Sequence, residues 1–452
     1  MSDALHPSIV GLSRKLAEFT RNFSLEQAPA IVVSNAKLAI LDCLGVAVLA
    51  TGQEIGECLN KFAANVAAGN CTVWGMAVRG CVRDAALMNG TLAHGLDYDD
   101  RNHSTTYTLA ASLATAESVG ASGRQALEAF IVGREVRASL DRIFSSRSSG
   151  IGPGARGWHS NGILGPIAAA CSASRIFGLD VEQTLAAIGL AAGACGALTR
   201  DGGTMAKPFR CGHAAATGVT SALLAQAGFS SDDTVLEGRY GLLEAVGPLS
   251  EEILRSLGKH LGTEWDLEHS LRIKPFASCT ATHSGLEAMQ RLIQREKVSA
   301  EEVEAIECDL RPYPLVRAKP TRGYEGRFSM PFCLAMTFVH GTIRPDDFVD
   351  EKVDDPVIQN LLQRTRHHQE QTLTVKLKNG KAVSEPFQAI SNLTDPGAVR
   401  AKFERSVSAA LQSDQVRKII DGVNRLEQLD SVRLLTDALS PSAADTSSNQ
   451  LE

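Results

Sequence analysis

No two cysteines in this chain are spaced C-x-x-C, so neither a zinc ribbon nor a thioredoxin-like redox motif has the sequence it needs. The ten cysteines are scattered through 452 residues, far below the density of a disulfide scaffold. Positive charge is not in excess: 45 Lys and Arg stand against 51 Asp and Glu, a net charge of −6. Without that excess, nucleic acid and anionic membrane surfaces are not expected partners. The start, MSDALHPSIV, lacks the basic-then-apolar order of a secretory signal, and a cytoplasmic location is the expectation. A charge-free stretch long enough to span a bilayer, Cys211–Ser231, carries His, Gln, Ser and Thr among its Ala and Gly, which is too polar for that role. No long-period repeat of the solenoid kind is present.

What is present is the composition of a globular protein: 44% apolar and 21% charged residues exclude a wholly disordered chain. At ~150 residues per domain, the length suits two unequal domains. Residues 1–272 read as mostly helical, with small and apolar residues at helical spacing in Ala36–Ala50, Asp84–Gly95, Ala126–Ile143, Gly162–Phe177, Val181–Ala197 and His213–Ala227. So much Ala and Gly predicts close helix–helix approach in the buried layers of a bundle. Gly178 predicts a helix end, and Asp180 with Gln183 a capping pair that starts the next helix. After about Lys274 the texture changes. Val303–Leu310 and Thr372–Leu377 alternate apolar and polar residues, and Asn379-Gly380 supplies a hairpin turn into Ala382–Phe387. Helical spacing recurs in Gly285–Arg295, Met330–His340 and Asp355–Thr365. The expected fold is therefore mainly α: a large all-helical bundle domain of residues 1–272 and 400–439, built from both chain ends, with a smaller α+β domain inserted at 273–399. Helical Lys402–Leu411 and Gln415–Leu426 are expected to return to the first bundle, and the polar tail 440–452 reads as disordered.

Three stretches carry candidate chemistry. Ala206-Lys207-Pro208-Phe209-Arg210 and Ile273-Lys274-Pro275-Phe276-Ala277 each set a Lys before a Pro, ahead of a small-residue helix. Proline suits the first turn of a helix, where free N–H groups, the helix dipole and a lysine together favour an anion. Two such starts meeting in one cleft would bind a di- or tricarboxylate through Lys207, Lys274 and Arg210. Two capped helix starts with solvated lysines are the plainer alternative. The second stretch, His94–His103, places Asp97, Asp99 and Asp100 between two histidines. Like-charge proximity can raise one of these carboxyls toward neutrality and make it a general base. The alternative is a solvated acidic loop. The spacing fits neither a calcium loop nor a zinc motif, so no metal is expected. The third stretch, Ser148–His159, is Gly-rich without the Gly-Lys-Ser/Thr of a phosphate loop. It delivers His159, beside Trp158, to the start of an apolar helix, either as a proton-transfer group or as a structural hydrogen-bonder.

In this order, LDCLGVAVLA (41–50), NGTLAHGLDYDD (89–100), WHSNGILGPIAAACSASRIFGLD (158–180), AKPF (206–209), IKPFASCTATH (273–283) and EGRFSMPFCLAM (325–336) resemble the MmgE/PrpD family. Its members include 2-methylcitrate dehydratase, cis-aconitate decarboxylase and iminodisuccinate epimerase. The resemblance spans Ile31 to Leu439. It implies a homodimer of two-domain subunits with a cofactor-free, positively lined site between the domains. It maps Asp97 onto the first aspartate of the family's acidic motif, His159 onto a catalytic histidine, and Lys207 and Lys274 onto two substrate-facing lysines. Two family histidines are replaced. One position holds Tyr107, with His103 four residues earlier, and the other holds Cys279, with His283 one helical turn on. Phenol and thiol are poor bases at their ordinary pKa values of ~10 and ~8.5, unless adjacent lysines lower them. The implied activity is a cofactor-independent lyase that moves a proton next to a carboxylate of a small-molecule polycarboxylate, of dehydratase or decarboxylase type. Two-base epimerisation, or carboxylate binding without catalysis, is the alternative for the same pocket.

Overall fold

The computed structural model describes residues 9–144, 152–309 and 319–441. Through residue 226 the chain is mainly helical, interrupted by one short antiparallel pair of strands, Cys71–Thr72 with Arg79–Gly80: α1 (Leu12–Asn22), α2 (Ala30–Thr51), α3 (Glu54–Phe62), α4 (Val82–His94), α5 (Ser104–Val119), α6 (Gly123–Ser139), α7 (Ser160–Phe177), α8 (Val181–Gly193) and α9 (Ala206–Gln226). The sequence-predicted caps are in place. Gly178 ends α7 in the left-handed conformation, and the Asp180 carboxylate accepts the Gln183 N–H at 2.8 Å to start α8. α5 escapes a search for apolar periodicity because its sequence, STTYTLAASLATAESV, has no apolar stripe. It is nevertheless buried, and its hydroxyls bond to carbonyls one turn back: Thr108 to Ser104 at 2.6 Å and Ser112 to Thr108 at 2.7 Å.

The small residues do what their abundance predicts. A Cβ on Gly212 of α9 would overlap the Leu87 carbonyl and the Thr91 hydroxyl of α4, and Gly90 of α4 faces Gly212 across the same contact. The two helices touch backbone to backbone. That contact places the loop after α4 beside the start of α9. Pro166 has an equally local effect in α7. It has no N–H, so the Gly162 carbonyl is left free and takes the Gly196 N–H at 2.9 Å. The His159 N–H bonds to the Ala197 carbonyl at 3.1 Å, and Trp158 bridges to Leu198. The start of α7 is thus stitched to residues 196–198.

α2 is long and apolar enough to cross a membrane, but most of it is buried inside the molecule. At its centre Asp42 pairs with Lys402 at 2.7 Å, from the helix Pro396–Val407, and Phe403 of that helix lies against Gly45. The C-terminal helices therefore pack on α2. Between them and α9 stands a four-stranded sheet in the order 365–367, 303–308, 372–377, 382–386, parallel only between the first two strands. Leu373, Val375 and Leu377 point to its buried face. Gly380 turns the hairpin at φ 85°, and the Asn379 side-chain oxygen accepts the Lys381 N–H at 2.9 Å. The helix expected over Asp355–Thr365 stops at Arg364, because Thr365 begins a strand paired to Ile306. Most of the polar tail, the first four residues of the Gly-rich loop and Leu310 lie outside the described residues.

Gly212→Ala is expected to lower stability by about 2–3 kcal/mol, since the added methyl meets the Leu87 carbonyl, which is main chain and cannot turn away even if the Thr91 hydroxyl does. Thermal or urea unfolding of the variant checks this; a loss below about 0.5 kcal/mol would show that the helices can separate freely.

Candidate active site

The loop between α4 and α5 carries the acidic stretch, and it is not solvated. Asp97, Asp99 and Asp100 are each at most 4% exposed. Each has its own partners. Asp100 takes the Asn102 and Thr105 N–H groups and the Arg134 guanidinium at 2.9 Å. Asp99 lies between two imidazoles, accepting from His94 Nδ1 at 3.0 Å and from His103 Nδ1 at 2.8 Å. Asp97 pairs with both Lys207 and Lys274. Among the described residues only Asp97, His103 and Tyr240 have positive φ without being glycine, so two of the three strained positions are on this loop.

Electrostatics follow from the partners. Burial alone would push the Asp97 carboxyl up, but Lys207 and Lys274 override it and hold it well below the usual range. Asp99 is likewise held well below, against burial, by His103 and His94. The expectation of a carboxyl raised to a general base is thus overturned: both are fixed anions. Burial lowers the Lys207 pKa, and Asp97 outweighs it and keeps the ammonium charged.

Only part of the expected lysine pair faces a ligand. Lys207, in the first turn of α9, lines a cavity of about 400 Å³. Lys274 lies behind it, fully buried, and donates to the Asp97 carboxylate, the Asp97 carbonyl at 2.9 Å and the Ser278 carbonyl at 3.4 Å. Nor does Pro275 start a helix. Ile273 bridges to Asp100 and Leu393 in extended form, and the next helix begins at Thr280 with Cys279 as its cap. Two further buried cations hold these loops together through carbonyls. Lys402 donates to Tyr98 at 2.7 Å and Lys274 at 3.1 Å, and Arg327 to Ala277 at 3.3 Å and Leu96 at 3.5 Å.

The same cavity is lined by His103, His159, Asn161, Cys279 and Thr280. Three helices, α7, α9 and Thr280–Arg295, present their first residues to it, so the positive ends of three dipoles gather around one space. The two imidazoles differ in what they offer. His103 donates Nδ1–H to the anionic Asp99, which leaves a lone pair on Nε2, 3.9 Å from Asp97 Oδ1. His159 Nδ1 accepts the Asn161 N–H at 3.3 Å, so its proton sits on Nε2 and the ring offers a donor. Burial, then Arg210 and Lys207, hold His159 well below the ordinary imidazole range, and the ring stays neutral.

Besides Asp97 and Lys274, three expected site residues are off this cavity wall. Tyr107 is fully buried on α5 beside Arg137, and burial pushes its phenol up rather than down. His283 donates Nε2–H to the Ser278 carbonyl at 3.2 Å and packs edge-on to Phe276; burial and Lys274 lower its pKa to about 3. Arg210 uses Nη2 on the Leu198 carbonyl and on Asp201 at 3.3 Å, while its Nε and Nη1 have no hydrogen-bond partner among the described residues. Cys279 does line the cavity, but burial and Asp97 raise its thiol, so the lysines do not make it a thiolate. His94 and Arg137 were missed. The five-residue return from His94 to Asp99 has no helical or strand period, although His94 stands inside the acidic motif. Arg137 hides in the apolar pattern of α6, where three charges at 134, 135 and 137 are the available signal.

His94, Asp97 and His103 bring ligand atoms within 4.8 Å of one another. A metal ion there would sit beside the two ammonium groups already on Asp97, so the donor set fits a cation poorly. A larger cavity of about 550 Å³, near Glu237 and Arg239, offers no imidazole or thiol on its wall.

Asp97→Asn leaves two buried ammonium groups without their shared anion and should cost about 3–5 kcal/mol of stability, read by urea unfolding at pH 7. Loss within about 1 kcal/mol would show that the lysines find other counter-charge. The pH dependence of stability has a separate source in His283. It is neutral when folded down to about pH 3 but takes a proton when unfolded below its ordinary 6.5. Its contribution is therefore complete above about pH 6.5 and is lost as pH falls toward 3. Between pH 7 and pH 5 this amounts to about 2 kcal/mol. His283→Gln should flatten that slope in urea titrations at the two pH values; an unchanged slope would locate the acid limb elsewhere.

Residues 14–251 match the model of the MmgE/PrpD N-terminal domain, and residues 276–428 that of the MmgE/PrpD C-terminal domain. The cis-aconitate decarboxylase of Mus musculus is 27% identical over 451 residues, with 92% of this chain and 91% of that protein covered. The Homo sapiens cis-aconitate decarboxylase is 25% identical, with 92% of each chain covered. That of Aspergillus terreus is 23% identical over 480 residues, with 95% of this chain and 96% of its own length covered. With both domain models matched in order along most of its length, the chain belongs to the MmgE/PrpD family.

Proposed function

We propose that this chain is a cofactor-independent lyase of a polycarboxylate, of decarboxylase or dehydratase type, with His103 as its proton-transfer group. The observation that carries the reading is the lone pair on His103 Nε2, backed by the Asp99 anion and facing a cavity framed by Lys207 and three helix starts. A substrate carboxylate is held where those dipoles and the Lys207 ammonium converge. When a proton or CO₂ leaves the adjacent carbon, enolate-like charge builds on that carboxylate, next to Lys207 and the His159 N–H. In a dehydration His103 Nε2 takes the proton and the departing hydroxyl leaves as water with a proton from solvent; in a decarboxylation Nε2 first takes up a proton from solvent water and then delivers it to carbon. The imidazolium formed in the first case has Asp99 at 2.8 Å and Asp97 at 3.9 Å, so its charge is compensated on both sides. The leaving group that the substrate carries decides which reaction occurs. Cis-aconitate is the first substrate to test, because the relatives above are cis-aconitate decarboxylases. An epimerase would need a second base, and His159 with Nδ1 held by Asn161 does not offer one.

The test is proton NMR in D₂O with cis-aconitate and other di- and tricarboxylates, following product and deuterium incorporation. His103→Gln should slow the reaction about 10²-fold or more, the scale of a lost general base. His159→Gln keeps an N–H donor and should cost no more than about tenfold. No exchange and no product with any polycarboxylate would refute the lyase reading. The reverse order of the two variants would move the base to His159.

A further inference from the structure

Beyond the reacting centre, we infer that Arg137 and Asp141 form a second anion subsite in the same cavity, which binds a substrate carboxylate remote from the carbon at which His103 acts. The inference rests on the polycarboxylate reading and assigns it a selectivity residue. Arg137 stands in the last turn of α6, with its side chain 4% exposed, yet it lines the cavity. Asp141, one turn on, pairs with it, lines the same cavity and is 39% exposed.

The neighbouring Arg134 shows how the charge of a buried guanidinium on this helix is fully compensated. It spends two nitrogens on two carboxylates, Asp100 and Asp266, each at 2.9 Å, and does not line the cavity. Arg137 has one carboxylate for the same charge, and that one is partly exposed; its Nε, like that of Arg134, has no hydrogen-bond partner among the described residues. A guanidinium carries five donors in a planar fork, so a second carboxylate arriving through the cavity finds donors already desolvated and held.

Asp141 can give way at small cost, because its own carboxylate keeps contact with water when released. The surroundings suit an anion with a carbon chain. Arg101 contributes a second cation to the cavity wall and has no described carboxylate partner, while Phe144 and Trp158 supply apolar surface. A ligand with a carboxylate at Lys207 and another at Arg137 is bound at two cationic poles. A compact ligand whose carboxylates cannot spread to both is held at one. In the unliganded protein Asp141 occupies the second pole and keeps the buried charge of Arg137 paired.

The test is calorimetric titration of wild type, Arg137→Gln and Asp141→Asn with tricarballylate and with maleate, whose two carboxylates lie cis on adjacent carbons. Wild type should prefer tricarballylate. Arg137→Gln should weaken tricarballylate at least tenfold and leave maleate within about twofold. Asp141→Asn, which frees the guanidinium, should tighten tricarballylate and not maleate, and it carries the test if the Arg137 variant fails to fold. Equal effects on both ligands, or none, in a protein whose wild type binds them would overturn the subsite and leave the lyase reading standing. If wild type binds neither probe, the polycarboxylate reading itself fails, and the subsite with it.

Discussion

The site depends on one buried carboxylate shared by two ammonium groups. Asp97 belongs to the loop after α4, Lys207 to the first turn of α9, and Lys274 to the extended segment before Cys279. Those three pieces of chain are far apart in sequence, and their only common charge is Asp97. In a low-dielectric interior neither lysine can lose its counter-charge cheaply, so the three segments hold one another in place. The strain at Asp97, φ 49°, is tolerated because that conformation is what lets one carboxylate reach both nitrogens. Lys402, itself paired with Asp42, and Arg327 reinforce the same junction from the C-terminal helix and from the segment before Met330 by capping carbonyls of the two loops.

Three neighbouring aspartates then do three different jobs, and their partners decide which. Asp100 is structural, tied to Arg134 and the start of α5. Asp97 fixes the lysines. Asp99 orients imidazoles, because a carboxylate can only accept and so both His94 and His103 must turn Nδ1–H toward it. Like-charge repulsion among the three is relieved pairwise by cations and N–H donors. For that reason Asp97 and Asp99 fall in pKa where a bare cluster of acids would rise.

The helices and the hairpin were legible because they depend on short-range information: apolar spacing, an Asx cap at Asp180, Asn379-Gly380 in a turn. The members of the site were legible as residue types, and less so as roles. Lys207 and Lys274 look alike in sequence, each before a Pro, yet one faces the cavity and the other is enclosed behind it. The difference arises from Ile273, whose pairing with Asp100 and Leu393 is long-range and leaves no local mark. His283 reads as a replacement for a histidine, but one turn into its helix it points to the Ser278 carbonyl instead of the cavity. α5 was hidden by its hydroxyls, and Arg137 by an otherwise apolar helix.

The replacement of a histidine that the family resemblance implies at Tyr107 gains a physical account from the same geometry. Tyr107 lies four residues after His103, on the same face of α5 one turn further in. A base at 107 would be enclosed against Arg137, whose positive charge disfavours a protonated imidazole. At 103 the ring is at the helix cap, in the left-handed conformation, where it meets Asp99 on one nitrogen and the cavity on the other. Moving the imidazole from the helix to its cap therefore exchanges a cationic neighbour for an anionic one. The phenol left at 107 fills the buried space beside Arg137 without adding charge. With His103 as the proposed proton-transfer group, the pocket keeps a carboxylate-backed imidazole one helical turn before Tyr107.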